Sequence, residues 1–187
     1  METWRQSGDP LAGRYLLYRL HPVSVREWCE QRGATPEAAL QHLINRGGFP
    51  EPCLAVSDED ADRWRRQYFT DLIREDVLEF SRVNEVQTVQ PWHRNVGRAI
   101  LQTPKVYFFD TGLVRGDEGV RFENAVATML LKHVHFRQDA RGKAASLHYI
   151  RTKDGAAVQI VRHLRQEESR SGLRITRAAD WLHALEA

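Results

Sequence analysis

The chain has 187 residues, 42% of them hydrophobic and 28% charged, and this composition excludes an intrinsically disordered protein. Its 27 Lys and Arg residues nearly balance its 25 Asp and Glu residues, so the net charge of +2 is too small for a protein that binds polyanions through its overall charge. No apolar run reaches the roughly 18 residues of a membrane span, and the first residues lack the pattern of a secretory signal. We therefore expect a mixed α/β protein of the cytoplasm with no membrane partner, and the two cysteines, Cys29 and Cys53, fit a reducing compartment.

The first element predicted along the chain is a strand over residues 13–22, which is rich in aromatic and branched side chains and ends at a proline. A short helix is expected next, because Ser24 and Glu27 have the spacing of a capping box. A second helix is predicted over 36–46, since a proline stands at its first turn and apolar residues recur on one face. The residues of that face are Ala39, Leu40, Leu43 and Ile44.

Two glycines and two prolines predict a loop over residues 47–52, because they interrupt both helices and strand ladders. The clearest helical pattern follows over 59–80, where Trp64, Tyr68 and later apolar residues recur at three- and four-residue spacing. The opposite faces carry charges of both signs, and we interpret the arginines there as a solvated surface rather than as an anion site. These arginines are Arg65, Arg66 and Arg74.

The middle of the chain contains one predicted strand and one predicted turn. Residues 89–94 are expected to be extended and interrupted by a proline, and residues 105–109 are predicted as a buried strand. Asp110 follows this strand directly. It has the position of a cap for the turn at 111–112, a role that we favour over catalysis.

The last third of the chain predicts a long helix, a hairpin and a short closing helix. The long helix spans residues 118–133, and six of its residues are expected to face a core: Val120, Phe122, Ala125, Val126, Met129 and Leu130. Strands over 147–151 and 158–161 are joined by an Asp-Gly turn, and residues 162–173 are charged and irregular. The closing helix spans 178–185, and its expected buried residues are Trp181, Leu182 and Leu185.

None of the common catalytic motifs that we considered is present in full. The pair Gly142-Lys143 lacks the first glycine and the Ser or Thr of a phosphate-binding loop, and neither GxSxG nor HExxH occurs. His133 and His135 flank Val134 and would share one face of a strand, but two imidazoles without a third ligand are weak evidence for zinc. We therefore predict no catalytic residue, no metal ligand and no bound cofactor.

Metal-dependent cleavage of a phosphodiester needs a helix glutamate, an aspartate on a central strand and a Glu-x-Lys pair on the next strand. Glu123 fits the first position. Gln159 stands at the second position, where a neutral amide would hold a hard cation weakly, and no Glu-x-Lys or Asp-x-Lys occurs in the chain. Glu123 and Gln159 are therefore predicted to mark a degenerate nuclease site.

Several short motifs follow one another along the chain in a recognisable order. They are LAGRY at 11–15, HPVS at 21–24, GGFPEP at 47–52, WRRQY at 64–68, IRED at 73–76, KVYFFDTGL at 105–113, RFEN at 121–124 and LHYIRTKDG at 147–155. This order resembles the second half of a family of prokaryotic AAA-type ATP-binding proteins, in which a C-terminal domain of unknown function follows the ATPase core. That C-terminal domain resembles the restriction-endonuclease-like fold.

The resemblance implies that residues 1–82 are the end of an AAA-type core, a strand with helices, and that residues 83–187 are a shortened nuclease-like domain. ATP and Mg²⁺ are the ligands of the family, but the phosphate-binding loop and the acidic Mg²⁺-binding strand do not occur in this chain. A winged-helix segment expected at 89–91 is also missing. Arg14 lies near the end of the family's ATPase core, where an arginine reaches a nucleotide phosphate, and here it would serve only the nucleotide of a neighbouring subunit.

These departures leave three hypotheses about function. The first is a non-catalytic remnant of the family, and the third is an ATPase that a partner completes in trans. The second is a module that binds nucleic acid or protein, although Glu167 and Glu168 interrupt the basic run that would contact nucleic acid. The arginines of that run are Arg162, Arg165, Arg170 and Arg174. We also expect self-association or an ATPase partner, because a shortened domain leaves apolar surface uncovered.

Overall fold

The computed structural model describes residues 15–76, 86–92, 103–151, 157–163 and 178–185, and within these ranges the fold is mixed α/β. Its helices are α1 (Val25–Arg32), α2 (Pro36–Arg46), α3 (Pro50–Cys53), α4 (Asp58–Asp76), α5 (Glu118–Arg141) and α6 (Ala178–His183), with a 3₁₀ turn at Thr111–Leu113. Its strands are β1 (Val86–Pro91), β2 (Lys105–Phe108), β3 (Ala145–Arg151) and β4 (Ala157–His163). Of the helices described, none combines the length and the apolar character that crossing a membrane requires.

The strand predicted over residues 13–22 is wrong for the residues that the structure describes, since 15–24 form no strand. The segment lies on the surface, where Leu20 is 93% exposed, and it is anchored to α5 by Arg19, whose guanidinium and backbone N–H both donate to the Asp139 carboxylate. Strand propensity is insufficient here because a strand needs a neighbour for its backbone groups. The four strands of the described sheet all come from later in the chain.

The first two helices form as predicted. Ser24 and Glu27 make a complete capping box at α1: the Glu27 carboxylate accepts the Ser24 N–H at 2.8 Å, and the Ser24 hydroxyl oxygen accepts the Glu27 N–H at 3.4 Å. Thr35 caps α2 and Pro36 begins it. The predicted apolar face of α2 is buried, and it consists of Ala39, Leu40, Leu43 and Ile44.

The loop predicted over 47–52 is wrong at its end, because Pro50–Cys53 forms the single helical turn α3. Prolines are tolerated in this turn, since the first N–H groups of a helix have no partner within the helix. Gly47 lies between α2 and this turn with φ +86°, a left-handed conformation that a residue with a side chain rarely adopts. The chain therefore reverses direction here through a glycine and then immediately forms a helical turn.

Both long helices are present, with limits that differ from the prediction. α4 begins at Asp58, and the predicted helical residues 77–80 lie outside the described ranges. α5 continues to Arg141, where Gly142 caps it in a left-handed conformation. His133 and His135 therefore lie on a helix and not on one face of a strand, so that part of the prediction is wrong.

Three residues predicted in the core are exposed: Val120 (49%), Phe122 (39%) and Trp181 (41%). Val120 and Phe122 are two residues apart on α5, so they cannot share a face, and both lie near the beginning of the helix. Trp181 is on the outer side of α6, whose inner side buries Leu182. Periodicity identified these helices correctly, but the residues near their ends extend beyond the surfaces that the helices pack against.

The sheet has the strand order β2-β1-β3-β4. β1 pairs antiparallel with β2 through residues 86–89 and parallel with β3 through Gln90 and Pro91. The extended segment predicted at 89–94 thus begins with part of a central strand, and Pro91 is tolerated because it is the last residue of that strand. The predicted hairpin of β3 and β4 is confirmed, and the turn at 153–155 lies outside the described residues.

β2 is an edge strand rather than the buried strand that the sequence predicts. Val106 is exposed whereas Tyr107 is buried, which is the alternation of a strand with one solvated face. The apolar run over 105–109 conceals this alternation, because Phe108 and Phe109 follow the buried tyrosine without a polar residue between them.

Two apolar clusters form the described core, and α5 lies between them. Where α1, α2 and α6 pack on α5, the buried residues are Val25, Ala39, Leu40, Leu43, Ile44, Cys53, Ala125, Ala179 and Leu182. Where α5 packs on the sheet, they are Val89, Tyr107, Ala127, Leu130, Val134, Ala145, Leu147 and Tyr149. Val126 contacts both clusters. The domain boundary predicted at residue 82 lies outside the described ranges and stays a prediction.

Candidate functional site

Glu123, the first residue of the predicted degenerate nuclease site, lies in the second turn of α5, where this helix meets the sheet. The helix begins nearby because the Asp117 carboxylate accepts the Val120 N–H at 2.9 Å. The Glu123 carboxylate accepts the Tyr107 hydroxyl at 2.8 Å and forms an ion pair with the Lys105 ammonium. Lys105 and Tyr107 are alternate residues of β2, so both reach Glu123 from the same face of the sheet.

Tyr149 of β3 completes this group, which we call the Glu123 cluster (Lys105, Tyr107, Glu123 and Tyr149). The Lys105 ammonium lies 5.7 Å from the centre of the Tyr149 ring, a cation–π distance. The Tyr149 hydroxyl donates to the Thr103 carbonyl at 2.6 Å, so this buried phenol is satisfied. Gln159, the second predicted residue, stands opposite Tyr149 in the β3–β4 register. Glu123 thus contacts β2, whereas Gln159 lies on β4, at the other end of the described strand order.

The Glu123 cluster contains a neutral ion pair, and its four described members include a single carboxylate. Mg²⁺ prefers several oxygen ligands, and no group of three His, Cys, Asp or Glu side chains that could hold a metal occurs within the described ranges. The Lys105 charge beside the carboxylate would also repel a cation. The side chains of Lys105 and Glu123 are 23% and 36% exposed, so this pair stabilises the fold by about 1 kcal/mol or less.

Asn124 fixes how α5 meets β2 beside this cluster. Its side-chain oxygen accepts the Phe108 N–H at 2.9 Å, and its NH₂ group donates to the Phe108 carbonyl at 3.1 Å and to the Thr111 hydroxyl at 3.2 Å. An amide offers both a donor and an acceptor, so one side chain satisfies both backbone groups of Phe108. Asn124 belongs to the motif RFEN, but the sequence did not predict this role, because its partners Phe108 and Thr111 lie 16 and 13 residues away.

Asp110 caps the 3₁₀ turn as predicted, and it also joins this turn to the loop after α2. Its Oδ1 accepts the Gly112 N–H at 3.0 Å and the Gly48 N–H at 2.8 Å, and its Oδ2 accepts the Phe49 N–H at 2.8 Å. Burial raises the pKa of Asp110, while these three donors and the charge of Arg65 act in the opposite direction. The carboxyl group therefore connects two segments that lie far apart in the sequence.

His21 and His135 form a second, half-buried polar pair between the N-terminal segment and α5. The His21 Nε2 and His135 Nδ1 atoms lie 2.8 Å apart, so one imidazole donates a hydrogen bond to the other. Burial is the largest cause that lowers the pKa of both rings to about 4, and the charge of Arg19 adds to it. Both rings are consequently neutral at pH 7.

A cavity of about 320 Å³ lies between α4, the 3₁₀ turn and the beginning of α5. Four arginines contribute to its lining, and we call it the arginine cavity: Arg65, Arg66, Arg115 and Arg121. The predicted charge pairing on α4 is confirmed for Arg65, which binds the Asp62 carboxylate and the Asn45 carbonyl. Arg115 and Arg121 did not stand out in the sequence, because only folding brings them to α4.

Most of the predicted nucleotide and nucleic-acid contacts lie outside the described residues and stay predictions: Arg14, Arg165, Arg170 and Arg174. Arg162 is a residue of β4 and stands opposite Ser146 of β3. The arginines that the structure does assemble are a different set.

Comparison with known proteins finds weak similarity. No family model and no solved structure match the chain. The chain is similar to uncharacterised proteins of Mycobacterium bovis and Mycobacterium tuberculosis, each 24% identical over 155 aligned residues, and it spans about a third (34%) of the length of these curated relatives. The match includes 58% of the chain.

Proposed function

We propose that this chain is a non-catalytic relative of the prokaryotic AAA-type ATP-binding proteins whose motif order it resembles. In this proposal the chain works in the cytoplasm, keeps part of a restriction-endonuclease-like domain, and binds partners instead of hydrolysing ATP or DNA. The Glu123 cluster is the observation that carries the proposal. Lys105 and Tyr107 bind the carboxylate that a nuclease would offer to Mg²⁺.

The surroundings of this cluster are consistent with a nuclease-like origin. The order of the elements supports the proposal, because α5 with Glu123 precedes the antiparallel strands β3 and β4, and β4 contains Gln159. Gln159 would supply a neutral amide at the second position of the nuclease motif.

Assays of ATP turnover and of Mg²⁺-dependent DNA cleavage test this proposal with the purified full chain. We expect the wild-type rates to equal those of Glu123→Ala, because the wild-type carboxylate is already bound by Lys105. Glu123→Gln is a second variant that keeps an acceptor for the Tyr107 hydroxyl, so it separates a folding defect from a loss of chemistry. Wild-type activity above that of both variants would overturn the proposal.

The proposed partner is a second copy of the chain or an ATPase subunit. Five apolar side chains in the segment 15–20 are each more than half exposed: Tyr15, Leu16, Leu17, Tyr18 and Leu20. A continuous apolar surface of this kind commonly marks an interface. Arg14 precedes this segment directly, so an interface there would bring it near a partner's nucleotide.

Sedimentation of the full chain over a concentration series tests the self-association part of the proposal. We expect dimers whose fraction rises with concentration, and the double variant Leu16→Ser/Leu20→Ser should reduce that fraction. Leu54→Ser is a matched control, because Leu54 is also an exposed leucine but lies on the turn after α3. A wild-type chain that stays monomeric throughout would exclude the second copy as partner.

A further inference from the structure

The arginine cavity has an excess of positive charge. Its lining includes four arginines and Asp62, and Asp62 pairs with Arg65. Within the described ranges, the structure records no carboxylate partner for the other three: Arg66, Arg115 and Arg121. Three unneutralised guanidinium groups from three different segments would repel one another, and an anion between them removes that repulsion.

The cavity also contains a buried donor that lacks an acceptor. The Arg121 Nε atom is buried and has no hydrogen-bond partner in the described part of the chain. A buried donor of a charged group without an acceptor is unfavourable, and native proteins rarely keep one without a reason. An oxyanion bound to the accessible N–H groups of Arg121 would neutralise this partly buried guanidinium.

The neighbouring arginines are held in place by contacts that leave N–H groups available. The Arg115 guanidinium lies 4.9 Å from the centre of the Phe69 ring, and stacking of this kind uses the flat face of the group and leaves the N–H groups along its edge free. Arg65 is anchored by Asp62 and the Asn45 carbonyl. Such fixed guanidinium groups suit the planar, bidentate recognition of an oxyanion.

The size of the cavity and its charge favour a small ligand with a doubly charged group. Its volume of about 320 Å³ is at the lower end of the range for small-molecule sites. A phosphate monoester carries a charge of about −1.5 to −2 near pH 7 and offers three acceptor oxygens, which matches three unpaired arginines. A phosphodiester of DNA or RNA carries one charge and continues at both ends. We propose that the arginine cavity binds the phosphate group of a small phosphate monoester.

Calorimetric titration of the full chain with phenyl phosphate, inorganic phosphate and a single-stranded DNA oligonucleotide without terminal phosphates tests this proposal. We expect saturable binding of phenyl phosphate that inorganic phosphate displaces. Arg66→Gln and Arg121→Gln should each weaken it at least about tenfold, because a charge-assisted contact is lost. Arg63→Gln is the matched control: it removes one charge from the same helix, but Arg63 is not among the lining residues and its side chain is 78% exposed. Its affinity should stay within about twofold of the wild type.

Three outcomes would overturn the proposal. The first is the absence of saturable binding of both phosphate probes, and the second is an equal loss in Arg63→Gln, which would indicate unspecific attraction. The third is binding of the oligonucleotide without binding of phenyl phosphate, which would assign the cavity to nucleic acid. Arg66 is exposed, so Arg66→Gln should keep the fold and remains informative if Arg121→Gln does not fold.

Discussion

Asp110 allows a direct test of how distant segments of this fold are held together. Its side chain is almost fully buried, and it accepts the N–H groups of Gly48, Phe49 and Gly112. Asp110→Ala removes all three acceptors. Asp110→Asn keeps the shape but replaces one oxygen by an NH₂ group, so at least one backbone N–H then faces a donor instead of an acceptor.

The expected loss of stability follows from these three bonds. Asp110→Ala leaves three N–H groups without their acceptor, and an unsatisfied buried donor costs about 1–3 kcal/mol. Removal of the carboxyl group, whose desolvation raises its pKa, recovers part of that cost. We therefore expect Asp110→Ala to lower the free energy of unfolding by about 3–5 kcal/mol. Asp110→Asn should lower it by about 1–3 kcal/mol. For a chain of this size the alanine variant should melt on the order of 10 °C lower.

Urea unfolding and thermal melting at pH 7 measure these differences, with Asp117→Asn as the matched control. Asp117 is an exposed aspartate that caps α5 through one N–H, and asparagine caps a helix about as well, so this variant should change stability by less than about 0.5 kcal/mol. If Asp110→Ala were no less stable than the control, the assigned role of the three bonds would be wrong.

The pH dependence of Asp110→Asn is a second readout of the same site. The pKa of Asp110 is raised in the folded chain, so the folded state keeps its proton more readily than the unfolded state. The resulting contribution to stability is complete below the unfolded pKa of 3.8 and is lost as the pH rises through the folded pKa. Asp110→Asn should remove this component, and an unchanged pH profile would contradict the burial argument.

Further predictions concern backbone strain and titration. Gly47→Ala should lower the free energy of unfolding in urea more than Gly33→Ala does. Both glycines have positive φ, but an added Cβ at Gly47 would collide with the Asp110 carboxylate, whereas one at Gly33 meets nothing within 4 Å. Equal losses in the two variants would refute the collision. The pKa values of His21 and His135 lie at about 4, below the usual 6.5. Their contribution to stability should therefore be complete above pH 6.5 and decline toward pH 4. An NMR titration with either midpoint near 6.5 would contradict this prediction. Hydrogen bonds from Arg19 lower the pKa of Asp139 to about 2. The stability of the wild type should therefore fall between pH 4 and pH 2, and that of Asp139→Asn should fall less steeply. Parallel acid-unfolding curves for the two proteins would refute this prediction.

Local signals in the sequence predicted the beginnings of the first helices well. The capping box of Ser24 and Glu27 and the proline at the first turn of α2 each act within one helical turn, so their geometry depends little on the rest of the chain. The same is true of the β3–β4 hairpin, whose strands follow each other closely. Asp110 was recognised as a cap for the same reason.

Predictions that depended on contacts between distant segments of the chain were less successful. The segment over 13–22 has the composition of a strand, but no strand of the described sheet lies beside it. The run over 105–109 indicated a buried strand, although β2 is at an edge with Val106 exposed. In both cases composition measures how well side chains suit a strand, whereas pairing and burial depend on which other segments arrive there.

The same distinction between local patterns and contacts of distant segments applies to the residues of the candidate site. The sequence indicated Glu123 and Gln159 as remnants of a nuclease motif, because each follows a local pattern on its own element. It did not indicate Lys105 as the partner of Glu123, since the two lie 18 residues apart on different elements. The arginine cavity combines residues of α4 with Arg115 and Arg121, which are still further along the chain.

What the sequence determined by itself is therefore the type of most elements, the caps of the first helices, and the absence of a phosphate-binding loop and of a Glu-x-Lys pair from these 187 residues. Only the tertiary structure decided which polar groups face each other: Lys105 with Glu123, Asp110 with the loop after α2, and four arginines around one cavity. The physical reason is the separation along the chain over which each kind of interaction acts. Helix caps and periodicity act over three or four residues, whereas charge pairing and burial are set by segments that meet only when α5 has packed between the helices and the sheet.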